Sequence, residues 1–117
     1  KTARDSDWIL MPKSSSNRRA VERLFLSAGL APPVPQIETE SFHIGLSMVA
    51  DSQMLAAAPQ SAYQQYQSQV CKLSMEVAYP STHLVFVTLA DGPELPAVDL
   101  ISDRFQAYAE TIRANIF

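Results

Sequence analysis

The sequence contains little glycine and cysteine, and it has no long apolar run. Three glycines in 117 residues exclude the glycine-rich loops that cradle phosphates or dinucleotides. The single cysteine, Cys71, excludes an internal disulfide and fits a reducing compartment. No apolar stretch reaches the ~18 residues of a membrane-spanning helix, and the polar N-terminus lacks a signal-peptide core. We therefore expect a cytoplasmic protein that does not associate with a membrane.

The chain also has only a small excess of negative charge, since its formal net charge is −3. The closest basic cluster is Arg18, Arg19 and Arg23, with Lys13 just before it. It is too small for the basic face of a nucleic-acid-binding domain, and we expect it on the outer face of a helix. The length suits one domain with one modest core. The start in a charged stretch without Met indicates a piece of a longer protein.

The apolar residues fall into short runs that alternate with helical patterns. Trp8 to Met11 is an apolar run closed by Pro12, which predicts a buried strand. Apolar residues then recur at helical spacing until Gly29, a typical stop signal. Shorter patterns predict strands over 36–40, 54–58 and 70–79, and helices after Ser41 and over 61–67. The order β-α-β-α-β-α-β-β-α predicts an α/β fold, with an open, mostly parallel sheet flanked by helices.

The strongest strand pattern and the longest helix pattern both lie near the C-terminus. Residues 84–89 (LVFVTL) are apolar on both faces, which predicts a central strand covered on both sides. A helix is predicted from about residue 96, with an apolar stripe that is too large for the rest of a chain this short to cover. The stripe consists of Val98, Ile101, Phe105, Tyr108, Ile112 and Ile116.

A polar turn follows each of the first two predicted strands. Ligands of open parallel sheets bind beyond the carboxyl ends of the strands, where hydroxyls, backbone N–H groups and helix N-termini can converge on an anion. Capping alone would also explain these residues, with Ser16 or Asn17 as the first N-cap and Phe42 as a hydrophobic staple. Both interpretations stay open. The candidate ligand-binding residues are Lys13, Ser14, Ser15, Ser16, Asn17, Ser41 and Phe42.

Other reactive side chains do not form a site by their spacing. His43 and His83 are 40 residues apart, without the clustered ligands of a zinc site. Cys71 lies in the alternating pattern of a predicted strand, and a free cysteine that is buried usually acts as a small hydrophobe. Glu38 and Glu40 share one strand face and could perform acid–base chemistry, but a solvated face explains them more simply. We therefore predict no catalytic residues, no metal and no cofactor.

Taken in order, four segments resemble the C-terminal half of the effector-binding domain of LysR-type transcriptional regulators. They are Trp8 to Pro12, Arg19 to Leu30 (RAVERLFLSAGL), Glu38 to Pro59 and Ser81 to Ala90, followed by the last helix. No single segment is specific, whereas the ordered set with its spacings is. The family's two glycines after the second helix are replaced here by Asp51 and Gln53. Aspartate tolerates left-handed backbone, so we expect the turn to survive.

The resemblance implies a periplasmic-binding-protein-like domain with two lobes. Residues 1–90 would form the second lobe, and residues 91–117 a linker and helix that return to a first lobe absent from this chain. A small-molecule effector, for which an organic anion is a suitable class, would bind between the lobes and rearrange a tetramer on DNA. DNA would be contacted only through an N-terminal domain that is also absent. Arg23 and Leu26 would lie at a dimer interface.

Two further hypotheses remain beside the sensor. A small stand-alone α/β enzyme, flavodoxin-like or hydrolase-like, predicts a catalytic constellation at one strand end, and the sequence offers no clear nucleophile with its base. A structural dimer could instead exchange its C-terminal strand and helix between copies. Exposed apolar surface would favour such self-association, which is compatible with a sensor.

Overall fold

A computed structural model describes residues 2–74 and 85–116 of the chain. The contacts divide the chain into an N-terminal unit, residues 1–80, and a C-terminal unit, residues 81–117. The elements are a 3-10 turn at Ala3–Asp5, β1 (Trp8–Leu10), α1 (Ser16–Ser27), β2 (Ile37–Glu38), α2 (Phe42–Ala50), β3 (Leu55–Ala56), α3 (Gln60–Tyr63) and α4 (Pro96–Ile116).

The N-terminal unit is built on a parallel three-stranded sheet in the order β2-β1-β3. Ile9 is opposite Ile37 on one side of β1, and Trp8 is opposite Leu55 on the other. The prediction of an open parallel sheet flanked by helices is therefore confirmed. The strands predicted over 36–40 and 54–58 shrink to two residues each, because β1 itself offers only three residues for pairing.

The core lies on both faces of β1. On one face, Trp8 and Leu10 pack with Val21 and Phe25 of α1, and the Trp8 and Phe25 rings meet edge to face at 5.8 Å. On the other face, a β-carbon added at Gly45 of α2 would lie 3.6 Å from Ile9 Cγ2. Alternate residues of a strand point to opposite faces, so α1 and α2 cover opposite sides of the sheet.

Both ends of α1 are fixed by local hydrogen bonds. The N-cap is Ser15, whose Oγ accepts from Arg18 N at 3.0 Å, so the prediction of Ser16 or Asn17 is wrong by one or two residues. The helix begins early because Ser15 N donates to Pro12 O at 2.9 Å and closes the turn. At the other end, Gly29 has φ +70°, and Leu30 N donates to Phe25 O at 2.9 Å. The predicted glycine stop is confirmed.

The end of α2 departs from the expectation of a left-handed aspartate. Asp51 ends the helix with φ −100° and ψ 12°, a conformation open to any residue. The following turn is closed by Ser52 N, which donates to Val49 O at 3.2 Å. The Ser52 hydroxyl also accepts from Met54 N at 3.2 Å. The turn therefore forms without glycine, through these hydrogen bonds.

Two strand predictions in the second half of the chain are not met where the structure describes them. Residues 70–74 form no strand, and neither do residues 85–89. Residues 75–84 lie outside the described residues. Val87 is 85% exposed and Leu89 80% exposed, so the expected burial on both sides is wrong for 85–89. A strand forms only by pairing, and the described residues include no strand paired with this segment.

The C-terminal unit has α4 as its main element, and the predicted start at residue 96 is confirmed. Phe86 packs against Phe105 of α4, with ring centroids 4.8 Å apart. The apolar stripe nevertheless remains open to solvent, as expected, at each of its residues whose side chain the structure describes. The exposed stripe residues are Val98, Ile101, Phe105, Tyr108 and Ile112.

Candidate functional site

A shallow cleft lies at the carboxyl edge of the sheet on the α2 side. Its cavity volume is only about 10 Å³, far less than the ~300–1,000 Å³ of pockets that bury a small molecule. The described residues therefore form a wall rather than an enclosed site. The cleft is lined by Ile9, Leu10, Met11, Thr39, Ser41, Phe42, Gly45, Ala56, Ala57 and Ala58.

Ser41 and Phe42 lie in this cleft, at the start of α2. Ser41 Oγ accepts from Ile44 N at 3.3 Å, so the capping interpretation of Ser41 is confirmed. Ser41 N donates to Thr39 Oγ1 at 3.2 Å, which orients the turn. Capping uses only the acceptor side of the Ser41 hydroxyl, and its proton stays available to a second acceptor. Phe42 is half-buried and supplies an aromatic surface beside it.

The turn from Lys13 to Asn17 starts the other helix and does not line the cleft. Because α1 and α2 cover opposite faces of the sheet, the two helix N-termini flank its edge from two sides. Lys13, Ser14 and Ser16 are exposed, and Ser15 is half-buried as the N-cap. The structure thus brings the candidate residues together in two groups at one edge, and not in one pocket.

The first turn of α1 has unused polar groups. Asn17 Oδ1 is buried and has no hydrogen-bond partner among the described residues. The backbone N–H groups of Ser16 and Asn17 also find no acceptor among the residues that the structure describes, as is usual where a helix begins. Those N–H groups carry the positive end of the helix dipole. The turn can therefore offer donors to an anionic or polar group.

Arg18 was expected on the outer face of α1, and this prediction is wrong. Its residue exposure is 3%. Nε donates to Glu22 Oε1 at 2.9 Å, and Nη1 donates to Met11 O and to Glu38 Oε1, both at 3.2 Å. Spacing contained the signal, since Arg18 precedes the buried Val21 by three residues and therefore shares its helix face.

Within residues 2–74 and 85–116, the remaining candidates form no group of side chains suited to catalysis. Glu38 is engaged in the ion pair with Arg18, and Glu40 is exposed. Cys71 is exposed rather than buried, which corrects the expectation of a small core hydrophobe. His43 lies against Tyr66 at 5.8 Å between ring centroids, and His83 lies outside the described residues.

Within residues 2–74 and 85–116, no three His, Cys, Asp or Glu side chains come close enough to hold a metal ion. None of the helices in these ranges has both the length and the apolar character to cross a membrane.

The chain is similar to one protein family and to one transcriptional regulator. The sequence profile of the LysR substrate binding domain matches residues 1–110. The HTH-type transcriptional regulator GbpR of Azospirillum brasilense is 46% identical over 48 residues, which cover 41% of this chain and 14% of that regulator. No solved structure matches. The profile match covers nearly the whole chain, and the chain therefore belongs to the LysR substrate-binding domain family.

Proposed function

We propose that this chain supplies one wall of the ligand-sensing site of a LysR-type transcriptional regulator. The observation that carries the proposal is the cleft at the carboxyl edge of the sheet, lined by Thr39, Ser41 and Phe42. Its small size fits a site that the first lobe of a two-lobed domain would complete. In this assignment residues 1–90 are the second lobe, and residues 91–117 return toward the first.

The proposed effector is a small organic anion. Phe42 and the alanines of the cleft would contact its apolar part, and the Ser41 hydroxyl would donate to a carboxylate oxygen. Lys13 to Asn17 would reach the same ligand from beyond the sheet edge, with the hydroxyl of Ser16, the N–H groups of Ser16 and Asn17 and the ammonium of Lys13. Two helix N-termini at one edge favour negative charge there.

The proposed mechanism is a shift in population without catalysis. An effector that binds one arrangement of lobes or subunits more tightly moves the equilibrium by its differential affinity. DNA would be contacted by another part of the protein, in the cytoplasm. The effector would therefore change transcription without being chemically altered.

Thermal shift of the protein at its full natural length would test this proposal, with benzoate, phenylacetate, succinate and malate as probes. We expect at least one of the four carboxylates to raise Tm. Ser16→Ala and Phe42→Ala should each weaken the binding of that carboxylate about tenfold, or ~1.4 kcal/mol. Ser47→Ala is the matched control, since Ser47 is exposed on α2 outside the cleft. Turnover of a substrate without stabilisation by any probe would instead favour the enzyme hypothesis.

We also propose that the protein self-associates. Leu26 on α1 is 61% exposed, and Val87 is 85% exposed; exposed apolar surface of this kind favours association. Sedimentation of Leu26→Glu and Val87→Glu would separate a side-by-side contact through α1 from an exchange of the C-terminal segment. A wild-type monomer at high concentration would refute the proposal.

A further inference from the structure

We propose that Arg18 is a positioning residue that holds both turns of the effector site in place. This inference rests on the function proposed above, because it assigns Arg18 a role in that same site. Arg18 does not line the cleft. It would act through the backbone and side chains that carry the ligand-binding groups.

The contacts of Arg18 reach the base of each turn. Nη1 donates at 3.2 Å to the carbonyl of Met11, which leads from β1 into the turn at residues 13–17. The same Nη1 donates at 3.2 Å to Glu38, the last residue of β2 and the neighbour of Thr39. The backbone N–H of Arg18 also donates to the Ser15 hydroxyl at 3.0 Å. One residue therefore ties the start of α1 to the ends of two strands.

Charge balance favours a positioning role over ligand contact. The Arg18 side chain is 4% exposed and is paired with two carboxylates, Glu22 and Glu38. Its positive charge is therefore already neutralised, and an incoming anion would have to displace one of these partners. The planar guanidinium can bond three acceptors at fixed angles, which the single ammonium of lysine cannot reproduce.

The two carboxylates of this cluster provide a matched pair for the test. Glu22 bonds Arg18 at 2.9 Å from within α1, and Glu38 bonds it at 3.2 Å from the end of β2. The side chain of Glu22 is 31% exposed and that of Glu38 is 48% exposed. The protein should therefore fold with glutamine at either position. Only Glu38 connects Arg18 to the turn that contains Thr39 and Ser41.

The experiment measures the affinity of Glu38→Gln and Glu22→Gln, at full natural length, for whichever of the four carboxylates stabilises the wild type most. We expect Glu38→Gln to weaken binding about fivefold, or ~1 kcal/mol, and Glu22→Gln to change it less than twofold. Tm is measured for both variants. If Arg18 had a purely structural role, the loss of affinity would parallel the loss of Tm and would not distinguish the two carboxylates.

Arg18→Lys and the double variant Arg18→Lys/Glu38→Gln complete the design. If Arg18 acts through Glu38, the double variant should bind no more weakly than Arg18→Lys alone. Equal effects of the two glutamine variants, or additive effects in the double variant, would overturn the positioning role while leaving the site intact. Absence of any effect of Ser16→Ala and Phe42→Ala would refute the site itself, and the inference with it.

Discussion

The two units of the chain contain similar apolar patterns and reach opposite outcomes. In the N-terminal unit, the run Trp8 to Leu10 pairs with a strand on each side and is almost fully buried. In the C-terminal unit, the stronger run at 85–89 is exposed, and the described residues contain no strand paired with it. A strand pattern thus reports the capacity to pair, and the available partner decides whether a strand forms.

Truncation of one leucine in each unit should give the largest contrast. Leu10 is 2% exposed and packs against α1, so Leu10→Ala should cost about 3 kcal/mol of unfolding free energy. Leu89 is 80% exposed, and Leu89→Ala should stay within about 0.5 kcal/mol. Urea denaturation of this chain measures both. A large loss for Leu89→Ala would mean that 85–89 is covered in solution, and the contrast would fail.

Glycine substitutions should give a smaller contrast of the same kind. Gly29 has φ +70°, so Gly29→Ala should cost about 1.5 kcal/mol and Gly29→Asn less, since asparagine tolerates this region. Gly92 in the C-terminal unit has no positive φ. A β-carbon there would lie 3.1 Å from Leu89 Cβ, a contact that a shift of a few tenths of an ångström in this exposed turn relieves. Gly92→Ala should therefore change Tm little, and equal shifts at both glycines would contradict the left-handed stop of α1.

The smallest expected effect separates two adjacent serines. Ser15→Ala removes the N-cap bond to Arg18 N and should cost about 1 kcal/mol. Ser16 is exposed and caps nothing, so Ser16→Ala should stay within about 0.5 kcal/mol. Chemical denaturation of the two variants measures the difference. The reverse order would restore Ser16 as the cap.

Sequence patterns located most elements of the fold because local chemistry determines them. Gly29 stops α1, Pro96 lies at the start of α4, and Ser41 caps α2 as expected, whereas the cap of α1 is Ser15 and not Ser16 or Asn17. Pairing is not local, which is why the run at 85–89 misled. Arg18 was missed because its charge suggested solvent, whereas its position three residues before Val21 places it inward.

The candidate site could be predicted only in part. Parallel topology placed both polar turns at one edge of the sheet, because strand ends and helix starts coincide there. Patterns along the chain do not report which face of a sheet a helix covers. The separation of Lys13 to Asn17 from Ser41 and Phe42 therefore needed the structure, and so did the ion pair that joins Arg18 to Glu38.

The burial of the only tryptophan in this chain has a practical consequence for spectroscopy. Trp8 lies in the central strand at 6% exposure, and its indole N–H donates to Ala3 O at 2.8 Å. Its emission should be blue-shifted when the N-terminal unit is folded and should move to the red when that unit opens. The C-terminal unit contains no tryptophan. Tryptophan fluorescence of this chain therefore reports the unfolding of the N-terminal unit alone, whereas circular dichroism also includes the 21-residue α4 of the other unit.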